Sequence, residues 1–253
     1  MNKLIAELQR LFFWPGQVVP NLVECLGGQG QAVLALSDEA GQVRLMVLEF
    51  LQAGDWAAVA GLYQALEMEL ELPLPALAVS GRGAYQLWFS LAAPVPREDA
   101  REFLQGLRRH YLAELPLSRL RFFPEEQEGA RVLLVPAFDP DSGRWSAFID
   151  PAMGAMFVDE PGLAMAPGLE RQADLLAGFT PMSPAELQRV LGLWRTGAGH
   201  APSEEPVPAT HYQDPRDFLR AVMNDPGIGI RDRIRAAKIL LASPAPQPGG
   251  KQG

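Results

Sequence analysis

Between residues 31 and 149 the spacing of apolar side chains switches repeatedly between the two-residue period of a strand and the 3.6-residue period of a helix, and the order of those switches limits the folds open to the chain. Residues 31–36 and 43–50 read as strands, with Ser37-Asp38-Glu39-Ala40-Gly41 as the turn of a hairpin between them. A helix follows, with Asp55 as its N-cap and Trp56, Val59, Ala60, Tyr63 and Leu66 as its apolar stripe. Pro73 and Pro75 force an extended passage into a strand over residues 77–79, after which a glycine-rich turn, SGRG, leads into a strand over 86–91. Phe103, Leu107 and Tyr111 are spaced for a helix running from Pro96 to Leu112, and strands over 132–136 and 145–149, joined across Asp141-Ser142-Gly143, close the series. The order β-β-α-β-β-α-β-β mixes hairpins with helices, which predicts an α+β domain whose largely antiparallel sheet carries helices on one face.

Punctuation on either side divides the rest of the chain. Residues 2–13 have amphipathic helical spacing, and Ser183-Pro184-Ala185-Glu186 is a capping box with proline at the first helical position, opening a helix to Trp194. Residues 197–213 are rich in Gly, Pro, Ser, Glu and Ala without apolar periodicity, as expected of a linker. The predicted organisation is an α+β domain over 1–196, a linker over 197–213, a helical hairpin over 214–242 and a disordered tail over 243–253. In the hairpin, Asn224-Asp225-Pro226-Gly227 separates the arms; the second arm pairs an apolar stripe (Ile230, Ile234, Ala237, Leu241) with a basic edge (Arg231, Arg235, Lys238). That face is suited to docking on a partner protein or on the domain itself, with DNA contact as the alternative.

Composition removes several classes of function. A formal net charge of -8 argues against coating nucleic acid nonspecifically, which needs many cations to displace counterions from phosphates. No apolar run reaches the roughly 18 residues of a membrane span and the first residues lack a signal peptide's order, so a cytoplasmic protein without membrane partners is expected. The single Cys25 has no partner for a disulfide, and His110, His200 and His211 lie far apart, so no structural metal is expected. Ser80 lacks a nucleophile elbow, and GGQG at 27–30 has no lysine after it, which excludes a serine hydrolase and a Walker-type phosphate loop.

Five short segments, LEFLQAGDW (48–56), SGRGAYQLWF (80–89), RFFPEEQ (121–127), VLLVP (132–136) and GRWSAFID (143–150), stand in register over residues 44–157, and together they resemble the archaeo-eukaryotic primase (primase-polymerase) catalytic domain, in particular the primase-like domains associated with helicases in bacterial mobile-element and conflict systems. LEFLQAGDW (48–56) is similar to that family's aspartate-any-aspartate strand followed by Gly-Asp-Trp, and SGRGAYQLWF (80–89) to its glycine-rich turn leading to His-any-Trp. RFFPEEQ (121–127), VLLVP (132–136) and GRWSAFID (143–150) are similar to its Arg-Phe-Phe-Pro-any-Gln segment, its apolar strand ending in Leu-Pro, and its Ser-any-Phe-Leu-Asp. The resemblance implies an RRM-like catalytic half, with single-stranded DNA or RNA and a helicase-like replication or transfer component as partners.

It also implies a site, and the residues at that site depart from the family. Carboxylates two apart on one strand point to the same face, where in the family they help hold two divalent metals; here Glu49 stands first and Leu51, which has no oxygen to offer, stands second. The histidine that the family places before its tryptophan is Gln86, which can donate a hydrogen bond but brings no charge. Glu49 and Asp150 are therefore expected as vestigial catalytic residues, the metal ligands if there are any, while Ser80, Arg82, Gln86, Trp88 and Arg121 are the candidates for nucleotide or nucleic-acid binding. Trp88 and Phe89 alternate on their strand, which predicts one buried and one facing a groove. Asp55 and Asp150 each have a structural reading too, as a helix cap and as a strand terminator. The expected function is a catalytically inactive primase-polymerase-like domain that binds nucleic acid or a partner. The alternatives are an active magnesium- or manganese-dependent nucleotidyltransferase using Glu49, Asp150 and a further acid such as Asp38, Asp139 or Asp141, and a protein-interaction module.

Overall fold

The computed structural model describes residues 1–82, 85–124, 131–159, 162–196 and 214–225, together with 233, 236, 237 and 240. The chain divides into two compact units, Met1–His200 and Ala201–Gly253. In chain order, the first unit contains α1 (Asn2–Phe12), α2 (Leu22–Leu26), β1 (Val33–Ala35), β2 (Gln42–Phe50), α3 (Trp56–Met68), β3 (Ala76–Val79), β4 (Tyr85–Pro96) and α4 (Arg97–Tyr111). It continues with β5 (Leu120–Phe123), β6 (Arg131–Leu133), β7 (Phe138–Asp139), β8 (Arg144–Trp145), β9 (Ala147–Phe148), α5 (Leu169–Ala177) and α6 (Pro184–Arg195).

Five strands form an antiparallel sheet in the order β5-β2-β4-β3-β9. β2 and β4 lie at its centre because both are apolar at nearly every position, the pattern of strands covered on two faces. On one face Met46, Leu48, Phe50, Leu87 and Phe89 pack with Val59, Leu66, Phe103, Leu107, Leu187 and Leu191 from α3, α4 and α6. On the other, Val47, Ala78, Trp88 and Phe148 meet Leu4, Leu8, Leu11 and Phe12 of α1 and Ala173 and Leu176 of α5. The Phe12 ring meets Trp88 edge-on at 5.2 Å and stacks on Phe148 at 5.7 Å. The fold is α+β with an antiparallel sheet, but helices cover both faces instead of one. Since both alternating sets of β2 side chains are apolar, either face left bare would expose several large side chains to water.

The remaining strands depart from the predicted hairpins. The turn at 37–41 forms, with Gly41 at φ 72° and Ser37 bridging Val43, yet β1 pairs with β6 (Val33↔Leu133) and not with β2. A strand has two edges, and those of β2 are taken by β4 and β5. Likewise Asp141-Ser142-Gly143 joins β7 to β8 (Phe138↔Trp145), while β9 leaves to pair with β3 (Ala78↔Phe148). Asp55 stands at the N-cap position of α3 but makes no capping hydrogen bond; its buried carboxylate is held by Arg119 instead. The capping box of α6 is complete: Ser183 Oγ accepts from the Glu186 N–H at 3.2 Å, and a Glu186 carboxylate oxygen accepts from the Ser183 N–H at 2.7 Å.

In the second unit α7 (Pro215–Asn224) begins at Asp214, whose carboxylate accepts from the Arg216 N–H at 2.8 Å. The expected linker over 197–213, the stripe and basic edge of the second hairpin arm apart from Ala237, and the tail over 243–253 lie outside the described residues. Among the described residues no helix is long and apolar enough to cross a membrane.

Candidate functional site

Glu49 lies opposite Arg121 of β5 and Gln86 of β4, so three strands bring one acid, one base and one amide into a row across the sheet. Leu51 N–H donates to Arg119 C=O at 2.8 Å, and this bond between directly opposed residues fixes the ladder. Two residues on, Glu49 and Arg121 are again a hydrogen-bonded pair, which turns the backbone of Glu49 toward β5 and makes Glu49–Gln86 a non-hydrogen-bonded pair, the kind in which side chains stand closest. The Gln86 amide N–H accordingly reaches one Glu49 carboxylate oxygen at 3.0 Å, and the Arg121 guanidinium reaches the other at 3.3 Å. The Trp88 indole N–H, which can only donate, meets the Gln86 carbonyl at 3.1 Å and so forces the Gln86 amide N–H toward Glu49. Glu49 and Gln86 are 8% and 6% exposed, and a carboxylate and an amide buried to that degree are tolerated only when paired in this way.

A second pair lies beside the first. Arg82 donates to Asp139 at 2.7 Å and stands 3.7 Å from the exposed Asp141. The hydrogen bond from Arg82 holds the Asp139 carboxyl below its ordinary range, and the same bond raises the Arg82 guanidinium. Asp139 also accepts from the Ser142 N–H at 3.3 Å, so the β7–β8 turn aims it. Arg82 is delivered by the turn after β3: its N–H meets Ser80 Oγ at 3.2 Å, and Gly81 has φ 77° at a place where an added Cβ would lie 3.3 to 3.4 Å from backbone atoms of residues 144–146. At that position the left-handed conformation and the close approach both require glycine. Together Glu49, Ser80, Arg82, Gln86, Arg121 and Asp139 line a cleft of about 110 Å³.

The cleft gathers five of the residues singled out from the sequence: Glu49, Ser80, Arg82, Gln86 and Arg121. Trp88 lies beneath it, fully buried among Phe12 and Phe148, and Phe89 is buried on the opposite face, so neither ring of the alternating pair faces a groove. Asp150 is exposed, and its carboxylate accepts from the Ala152 N–H at 2.8 Å at the start of the 3-10 turn Pro151–Phe157. It terminates a strand and does not line the cleft. Leu51 is half-buried one residue beyond β2. Of the three further acids, Asp38 accepts from the Gln42 N–H in its own turn, Asp141 flanks Arg82, and Asp139 enters the cleft. The pairing of Asp139 with Arg82 spans 57 positions of sequence, and the sequence marked Asp139 only as a candidate further acid.

The resemblance implies two divalent cations, and the donor set does not fit them. Among the described residues no three His, Cys, Asp or Glu side chains are gathered where they could share an ion. Glu49 has each oxygen occupied, one by an amide and one by a guanidinium, and the neighbouring acid, Asp139, is neutralised by Arg82. Hard cations need several free oxygens in a near-octahedral array.

No protein-family model matches the chain, and no curated protein sequence does. Among solved structures the chain is similar to the AEP domain of the cyanophage S-2L primase-polymerase (PrimPol), at 12% sequence identity and a TM-score of 0.40, over 69% of this chain and 97% of that one.

Proposed function

We propose that this chain is a binding component built on a primase-polymerase-like scaffold that does not carry out two-metal nucleotidyl transfer, and that it serves a replication, transfer or defence system of a mobile element. The observation that carries the reading is the state of Glu49: in the place where the resembling family offers a metal ligand, its carboxylate is spent on Gln86 and Arg121. Two cations and two buried carboxylates cancel within the cleft, leaving little net charge with which to hold a triphosphate.

The exposure of the arginines supports a second, compatible reading. The Arg82 and Arg121 side chains are 47% and 51% exposed at the mouth of the cleft, where each can share its donors with the phosphates of a single strand of DNA or RNA.

Template-directed primer synthesis and extension with manganese or magnesium tests the first reading. No product above a no-enzyme control is expected, and product abolished by Glu49→Ala overturns it. Fluorescence anisotropy with a short single-stranded oligonucleotide tests the second: binding weakened by Arg82→Ala and Arg121→Ala is expected, and binding indifferent to both removes nucleic acid as the ligand of this cleft.

A further inference from the structure

We draw no further inference here: the strongest candidate, the apolar groove beside the β5 edge lined by Leu104, Leu117, Leu120 and Phe122, carries none because Arg101 already has a partner, Arg121 is paired with Glu49 on the opposite face of the sheet, and nothing among the described residues shows what covers it.

Discussion

The Gln86 amide donates to Glu49 at 3.0 Å while its carbonyl accepts from Trp88 at 3.1 Å, so a single amide satisfies a buried donor on its own strand and a buried acceptor on the next. A neutral histidine would also offer one donor and one acceptor, but it can take up a proton and become a donor at both nitrogens, whereas glutamine keeps one donor and one acceptor at every pH. Position 86 thus does structural work that a phosphate-contacting residue would have to abandon.

Gln86→Leu is expected to destabilise the fold by about 2 to 4 kcal/mol, because the fully buried Trp88 N–H and one oxygen of the largely buried Glu49 lose their partners, at about 1 to 3 kcal/mol for each stranded group. A unit of this size loses about 2 to 4 °C in Tm per kcal/mol. Thermal denaturation followed by circular dichroism measures it; a variant as stable as the wild type means that the amide bridges nothing that matters.

The Arg82–Asp139 pair gives a pH dependence of known sign. Asp139 titrates lower in the folded state than in the unfolded chain, so its contribution to stability is fully present above the ordinary aspartate range and is lost as pH falls through that range toward the lowered folded value. Urea denaturation of wild type and Arg82→Gln should therefore show a stability gap at pH 6 to 7 that closes below about pH 4, where the unfolded aspartate becomes protonated. Because Arg82 is half exposed, the gap should also narrow with added salt.

Two glycines are held by rings. A Cβ on Gly154 would lie 1.9 Å from the Trp56 ring, and one on Gly106 would lie 2.2 Å from the Trp194 ring, so neither fits unless an indole moves. Gly154→Ala and Gly106→Ala should each cost about 1 to 3 kcal/mol by overpacking, read as a lower urea midpoint with an unchanged slope. Gly192→Ala, where nothing lies within 4 Å of the added carbon, is the control and should be neutral or slightly stabilising as a mid-helix glycine replacement.

What the sequence made legible follows from which interactions are local. The capping box at Ser183 and Glu186, the apolar stripe of α1 and the runs in β2 and β4 are each written within about a dozen residues, and their elements form where the patterns place them. Strand partnership is not local: the turn at 37–41 is a good hairpin turn, but β2 already has β4 and β5 on its two edges, so β1 pairs with β6 about a hundred residues away. The site was legible as a set of residues, since Glu49, Ser80, Arg82, Gln86 and Arg121 do converge, and illegible in its pairing, because Asp139 reaches Arg82 from a turn whose own motif speaks only of local geometry. Trp88 was misplaced for a related reason: alternation distinguishes two faces but does not reveal that α1 and α5 cover the second one.

Asp55 shows how such a non-local partner can be tested. Its carboxylate is 3% exposed and is held by both the Nε and the terminal nitrogen of Arg119, in a side-on arrangement typical of strong guanidinium pairs. Removing the base alone strands a charge that the protein has already taken out of water, a loss on the order of 3 kcal/mol, whereas removing both charges restores much of it. Arg119→Ala should therefore be markedly less stable than wild type, and Arg119→Ala/Asp55→Ala should be more stable than Arg119→Ala. A helix cap behaves in the opposite way: if Asp55 stabilised α3 by capping, its loss from the Arg119→Ala background would cost a further 1 kcal/mol or so instead of recovering stability. The order of the two urea midpoints decides between a buried ion pair and a cap.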